Sequence, residues 1–217
     1  MKKIVVFLGA PGSGKGTQAK MLSEKYGYEH ISTGDLLRER ANENELSAEE
    51  RDFFEMMIKH GHLAPDKMIY SLAFKVIDHA LLMGKGAVLD GAVRTVSQAQ
   101  EFQKYFSSHN LVGDMIVVEV VIEDEESIKR LSSRRICKSC KSIMTIKKDD
   151  EKCKKCGGEL IARADDNEET VKKRVAIQGN RAIEPIRNYY QSLNLWYKID
   201  GMKSVEEVRE QIENLIK

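Results

Sequence analysis

Gly9-Ala10-Pro11-Gly12-Ser13-Gly14-Lys15-Gly16-Thr17 follows directly on the apolar run Ile4-Val5-Val6-Phe7-Leu8. A short apolar run, a glycine-rich turn and a helix start, in that order, form a P-loop. Its backbone N–H groups wrap phosphates, and Lys15 reaches them as a point charge. The glycines let the chain turn tightly and let phosphate oxygens approach the backbone. A hydroxyl directly after the lysine normally binds Mg²⁺. Here that position is Gly16, so a metal is expected to be held by nucleotide and water.

Working outward, the chain alternates. Strands are expected at 3–9, 29–32, 87–91, 115–122 and 195–200, rich in Val and Ile and continuously apolar, as in a sheet buried on both faces. Helices are expected at 15–26, ended by Gly27; at 66–82, started by Pro65 and Asp66; at 97–108, with Ser97 as N-cap; and at 204–216, with Ser204 and Glu207 as cap partners. This alternation implies an α/β fold with a doubly wound five-stranded parallel sheet, whose ligands sit at the carboxyl ends of the strands. Two insertions break the pattern. Residues 33–64 read as helices alone. Residues 129–166 hold all four cysteines and little helical periodicity.

With 217 residues and 41% hydrophobic composition, the chain can bury a substantial core, and its net charge of +1 gives no overall pull toward polyanions. No apolar stretch is long enough to span a membrane. The run after Met1-Lys2-Lys3 is too short for a signal peptide and gives way at once to the P-loop, so a cytoplasmic protein with reduced thiols is expected.

Cys137-x₂-Cys140 and Cys153-x₂-Cys156 are separated by 12 residues, a spacing for a four-thiolate Zn²⁺ site. Four cysteine ligands leave no open position, so the metal is expected to be structural; an iron-bound or lost site is the alternative. Residues 129–163 carry twelve Lys/Arg against four Asp/Glu, an excess of eight. That patch is either an attractor for polyphosphate or nucleic acid, or a solvated surface. Arginines flank it: Arg130 and Arg134, read as four apart on one helix face, then Arg163, then Arg174 on a helix capped by Asn167. Each is either a surface ion pair or a two-pronged phosphate ligand. Arg38 and Arg94 are candidates for a second phosphate group. Asp90 is placed for Mg²⁺-bound waters, and Gln98 offers a donor and an acceptor to a base edge.

The motifs 9–17, Ser-Thr-Gly-Asp-Leu-Leu-Arg (32–38), Leu-Asp-Gly-Ala-Val-Arg-Thr (89–95), Arg-Ala-Asp-Asp (163–166) and Glu-Glu-Thr-Val-Lys-Lys-Arg (168–174) together resemble the adenylate kinases of the long-lid, four-cysteine type. The resemblance covers nearly the whole chain. It implies a phosphotransferase of nucleotide biosynthesis that moves a phosphoryl group reversibly from Mg-ATP to AMP, giving two ADP. It also implies a core (1–32, 65–128 and 167–217), an AMP-binding part (33–64) and a zinc-binding lid (129–166). ATP would lie on Gly12, Ser13, Gly14, Lys15, Gly16, Thr17, Arg130, Arg134 and Lys203. AMP would lie on Thr33, Gly34, Arg38, Leu63, Ala64, Gly91, Arg94, Gln98, Arg163 and Arg174. Lys15, Arg94, Arg134, Arg163 and Arg174 would serve catalysis, and Asp165 and Asp166 would fasten the lid. A monomer without nucleic-acid or membrane partners is implied.

Ala92-Val93 departs from the family's Phe-Pro. A trans peptide is expected there, with weaker AMP binding or looser base choice. The loop between the cysteine pairs is shorter than is common. Two rivals stand beside this reading: a UMP/CMP or relaxed-specificity nucleoside monophosphate kinase, and a non-catalytic nucleotide-binding protein whose zinc ribbon docks nucleic acid. Thr33 argues against the first. The lack of a stacking aromatic between Ile136 and Ile161 argues against the second.

Overall fold

The computed structural model describes residues 1–41, 46–60, 63–146, 152–163 and 165–217. Lys147, Lys148 and the acids Asp149, Asp150 and Glu151 of the basic segment lie outside the described residues, as do 42–45 and 61–62 of the helical insertion and Ala164 of the Arg-Ala-Asp-Asp motif. In chain order the elements are β1 (Ile4–Leu8), α1 (Lys15–Tyr26), β2 (Glu29–Ser32), α2 (Thr33–Ala41), α3 (Ala48–His60), α4 (Asp66–Leu82), β3 (Ala87–Asp90), α5 (Val96–Ser108), β4 (Met115–Val121), α6 (Asp124–Ser132), β5 (Arg134–Cys137), β6 (Ile143–Thr145), β7 (Leu160–Ile161), α7 (Glu168–Gln178), α8 (Asn180–Ser192), β8 (Trp196–Asp200) and α9 (Val205–Ile216).

Among the described residues the main sheet has five parallel strands in the order β2-β3-β1-β4-β8. Alternation along β1 explains its unbroken apolar sequence. Ile4, Val6 and Leu8 join one core with Ile77 of α4, Phe102 and Phe106 of α5, and Tyr190 of α8. Val5 and Phe7 join the opposite core with Leu22 of α1 and Ile212 of α9. Both faces are thus covered by helices, as a parallel sheet requires. Because β1 lies between β3 and β4, the chain changes direction across the sheet there, and the loops at the carboxyl ends of β1 and β3 share one crevice.

Helix ends follow local chemistry. Gly27 closes α1 in the left-handed region (φ 74°), its N–H donating to Ser23 O. Asn167 caps α7 by accepting from Thr170 N, and Ser204 with Glu207 forms a reciprocal capping box on α9. Two expectations are corrected. Thr95, not Ser97, caps α5, its Oγ1 accepting from Gln98 N at 3.1 Å, so the helix starts at Val96. Arg134 is not on a helix with Arg130: α6 ends at Ser132, and Arg134 opens β5. The cysteine segment holds a small antiparallel sheet, β6-β5-β7, and α8 follows α7. No helix among the described residues is long and apolar enough to cross a membrane.

Candidate active site

The P-loop joins β1 to α1. Gly14 takes φ 101° at the head of α1, a conformation suited to glycine, so the first N–H groups of the helix open into the loop. Lys15 Nζ lies at its centre and donates to Gly9 O (2.6 Å), Ala10 O (2.8 Å) and Ser13 Oγ (3.2 Å). Burial pushes the ammonium down to about 8; Asp90 opposes this, while Arg94, Arg174 and Arg134 reinforce it. Gly16 also has a steric reason: a Cβ there would lie 2.9 Å from Asp90 Oδ2. Burial would raise the Asp90 carboxyl, but the nearby His30 ring, 3.7 Å away, and the charge of Lys15 hold it below the ordinary range. Asp90 is therefore an ionised carboxylate beside the phosphate loop, a donor set that fits a hydrated divalent cation.

Beyond β3 lies a cavity lined by Thr33, Gly34, Leu37, Arg38, Leu63, Ala64, Ile69, Gly91, Arg94, Gln98, Asp165, Arg174 and Gln178. Nine of the ten residues expected at the second nucleotide line this one wall; Arg163 is outside it. Ala92 and Val93 are buried behind the lining, at 1% and 4% exposure. No peptide bond among the described residues is cis. Gln98 is more engaged than its sequence position indicates. Its Oε1 accepts from Arg94 N at 2.6 Å, and its Nε2 donates to Asp66 Oδ1 at 2.8 Å. One amide N–H of Gln98 remains for a base.

Cations converge between the cavity and the P-loop. Arg134 presents Nε and Nη2 to Asp166, both at 2.6 Å. Arg174 Nη1 donates to Asp165 Oδ2 (2.9 Å) and Asp166 Oδ1 (3.2 Å). Asp166 thus ties β5 to α7. Arg38 lies 3.8 Å from Asp165, and Arg163 lies 3.8 Å from Asp35, so the helical insertion and the cysteine-bearing insertion meet through charges. Burial lowers the Arg163 and Arg94 guanidiniums to about 10, helped by neighbouring arginines. Arg163 Nε is buried with no hydrogen-bond partner among the described residues. A buried, unpartnered cationic donor in a cluster of like charge has the character of an anion site.

At the outer side of the P-loop, Arg130 donates from Nε to Glu126 (2.8 Å) and from Nη2 to Gly201 O (3.0 Å). Arg130 therefore meets the loop that carries Lys203, two sites far apart in sequence.

The four cysteine sulfurs lie within 4.8 Å of one another, with Cys137–Cys156 at 3.4 Å and Cys140–Cys153 at 3.6 Å. A tetrahedron with Zn–S of about 2.3 Å has S···S edges of about 3.8 Å, so these residues fit zinc. Gly158 belongs to the same turn: a Cβ there would lie 2.9 Å from Cys137 Sγ.

Sequence reasoning missed Asp66, Gln178 and His30. Asp66 starts α4 and anchors Gln98. Gln178 ends α7, and its Oε1 accepts from Arg94 Nη1. His30 reaches Asp90 from the adjacent strand β2, Nε2 to Oδ2 3.7 Å. None of the three carries a motif; only the parallel pairing of β2 with β3 would have indicated His30.

Comparison with known proteins agrees with this geometry. The profile of the adenylate kinase family matches residues 7–195. An adenylate kinase from Elusimicrobium minutum is 41% identical, covering 98% of this chain and 98% of its own. Those of Archaeoglobus fulgidus (39%; 98% and 97% covered) and Pyrococcus horikoshii (36%; 98% and 94%) are similar over the same span.

Proposed function

The chain belongs to the adenylate kinase family, and from that premise we propose which of its residues perform each part of phosphoryl transfer from ATP to AMP. As a member of that family it is a phosphotransferase acting on a nucleoside monophosphate. The carrying observation is the meeting of the P-loop, Asp90 and the five arginines Arg38, Arg94, Arg134, Arg163 and Arg174 around one space.

The P-loop from Gly12 to Thr17 cradles the ATP phosphates, with Lys15 bridging them. Arg130 and the backbone at Lys203 flank the ATP base. The cavity takes AMP: Arg38 and Arg94 hold its phosphate, Thr33, Gly34, Leu63, Ala64, Gly91 and Gln98 surround the nucleoside, Arg174 lines it from α7, and Arg163 reaches in from beside it. An AMP phosphate oxygen is already an anionic nucleophile, so no general base is required. Catalysis is positioning plus neutralisation of charge on the transferring group by Lys15, Arg134, Arg163 and Arg174. Magnesium entering with ATP supplies further neutralisation of phosphate charge, and Asp90 would hold its water shell. Residues 129–166 close over the site as a lid, Asp165 and Asp166 fasten it, and closure excludes water that would hydrolyse ATP. Cys137, Cys140, Cys153 and Cys156 would hold zinc as a structural ion of that lid. The protein is proposed to act as a cytoplasmic monomer.

The test is ADP formation by purified protein with Mg-ATP and, separately, AMP, UMP or CMP. Turnover with AMP alone is expected. Comparable turnover with UMP or CMP would assign relaxed base choice to the altered Ala92-Val93 pair. No turnover with any of them would sink the reading.

A further inference from the structure

Arg94 is held at two points. Its Nε donates to Gly91 O at 2.9 Å, at the carboxyl end of β3, and its Nη1 donates to Gln178 Oε1 on α7. Among the described residues Nη2 donates to none, and both Gln178 and Arg94 line the cavity. Gln178 stands four residues beyond Arg174, so one face of α7 delivers both. An arginine side chain has four rotatable bonds and loses much freedom on being ordered. Fixing Nε and one Nη leaves the remaining fork preset for two phosphate oxygens. The neutrality of the partner matters as much. The surroundings hold Arg38, Arg94 and Arg174, with Asp165 already pairing Arg174. An acid at 178 would pair Arg94 and compete with an incoming phosphate, whereas an amide oxygen orients the guanidinium and leaves its charge unspent.

We propose that Gln178 is a positioning residue of the monophosphate site, holding the Arg94 fork in the orientation that grips the AMP phosphate. The inference rests on the reading that this cavity takes AMP. Because α7 also carries Arg174 and is tied through Asp165 and Asp166 to Arg134, one helix sets the grip on AMP and the charge around the transferring group in a single placement.

Steady-state kinetics with ATP and AMP varied separately test this, on wild type, Gln178→Met, Gln178→Glu, Arg94→Lys and Arg94→Lys/Gln178→Met. Gln178→Met is expected to raise KM for AMP about tenfold, as for loss of a hydrogen bond to a charged group. KM for ATP should stay within about twofold. Gln178→Glu keeps an acceptor but adds a competing charge, so its KM for AMP should rise further. In the Arg94→Lys background Gln178→Met should cost little more, because the two act as one unit. Should Gln178→Met not fold, Gln178→Asn, which withdraws the amide by one methylene, carries the same expectation. A Gln178→Met enzyme whose KM for AMP stays near wild type overturns the proposal. So does an equal rise in both KM values, or an undiminished cost in the Arg94→Lys background. A wild-type enzyme without AMP-dependent ADP formation would bring down the reading of the cavity itself, a result separable from all of these.

Discussion

At the residue scale, two P-loop positions behave in ways set by their neighbours. Lys15 titrates near 8, below its ordinary 10.5, first because burial disfavours its charge. Phosphates favour the charged form, so ATP binding must draw a proton onto Lys15 wherever the free enzyme has lost it. Proton uptake on ATP binding is expected to be small at pH 6.5 and to grow through pH 8 to 9, and KM for ATP should rise over the same window. Calorimetry in two buffers of different ionisation enthalpy measures the uptake; none at pH 9 would contradict the depressed titration. Gly16 answers a different pressure. A Cβ there would press on Asp90 Oδ2, which His30 Nε2 also approaches to 3.7 Å. Gly16→Ala should therefore displace Asp90 by a few tenths of an ångström. We expect kcat to fall about tenfold and the Mg²⁺ requirement to rise, with Tm almost unchanged, because small misplacements at a reacting centre are costly. Unchanged Mg²⁺ dependence would show that Asp90 yields freely.

At the scale of elements, the legible parts are those whose sequence carries a full period or a cap. β1 reads as an apolar run because it is buried on both faces. α9 reads from Ser204 and Glu207. The cysteine spacing announces a cluster that could hold a metal. The Arg130–Arg134 interval misleads because α6 stops two residues short of Arg134, at Ser132, and the chain turns into β5. β5, β6 and β7 have four, three and two residues, too few to show an alternation of period two. That shortness also bears on stability. Strands this short bury little on their own, so a metal held by the four thiolates would carry much of the segment's stability. Cys153→Ser, or a strong chelator, is expected to lower Tm by about 5–10 °C or to split off an early transition. Turnover at 25 °C should be retained better than thermal resistance. Chelation with no thermal effect would mean that the segment folds on its own contacts. The cavity was legible as a list, since eight of its thirteen residues lie in the motifs 32–38, 89–95, 163–166 and 168–174. Gln178 and Asp66 were not, because they meet Arg94 and Gln98 only through tertiary packing.

At the scale of the whole molecule, the site is an electrostatic imbalance built from separate parts of the chain. Lys15, Arg38, Arg94, Arg134, Arg163 and Arg174 face Asp35, Asp90, Asp165 and Asp166, six cations against four acids. The acids partly offset mutual repulsion among the arginines, and bound phosphates would do so more completely. Asp165 and Asp166 satisfy Arg134 and Arg174, and Asp165 acts a second time, reaching Arg38 and so tying the helical insertion to the cysteine-bearing insertion. Asp165→Asn/Asp166→Asn should leave nearly buried guanidiniums without counter-charge. Breaking such pairs costs about 3–5 kcal/mol, and each kcal/mol shifts Tm by about 2–4 °C in a chain of this size. A fall of about 6 °C or more is expected for the free protein. With saturating ADP, phosphate oxygens take the place of the missing carboxylates, so the variant should recover part of that loss, and the gap between free and bound Tm should widen relative to wild type. Thermal unfolding with and without ADP measures both quantities. If the variant loses the same amount in both states, the two aspartates merely support the start of α7, and phosphate does not replace them in holding the arginines together.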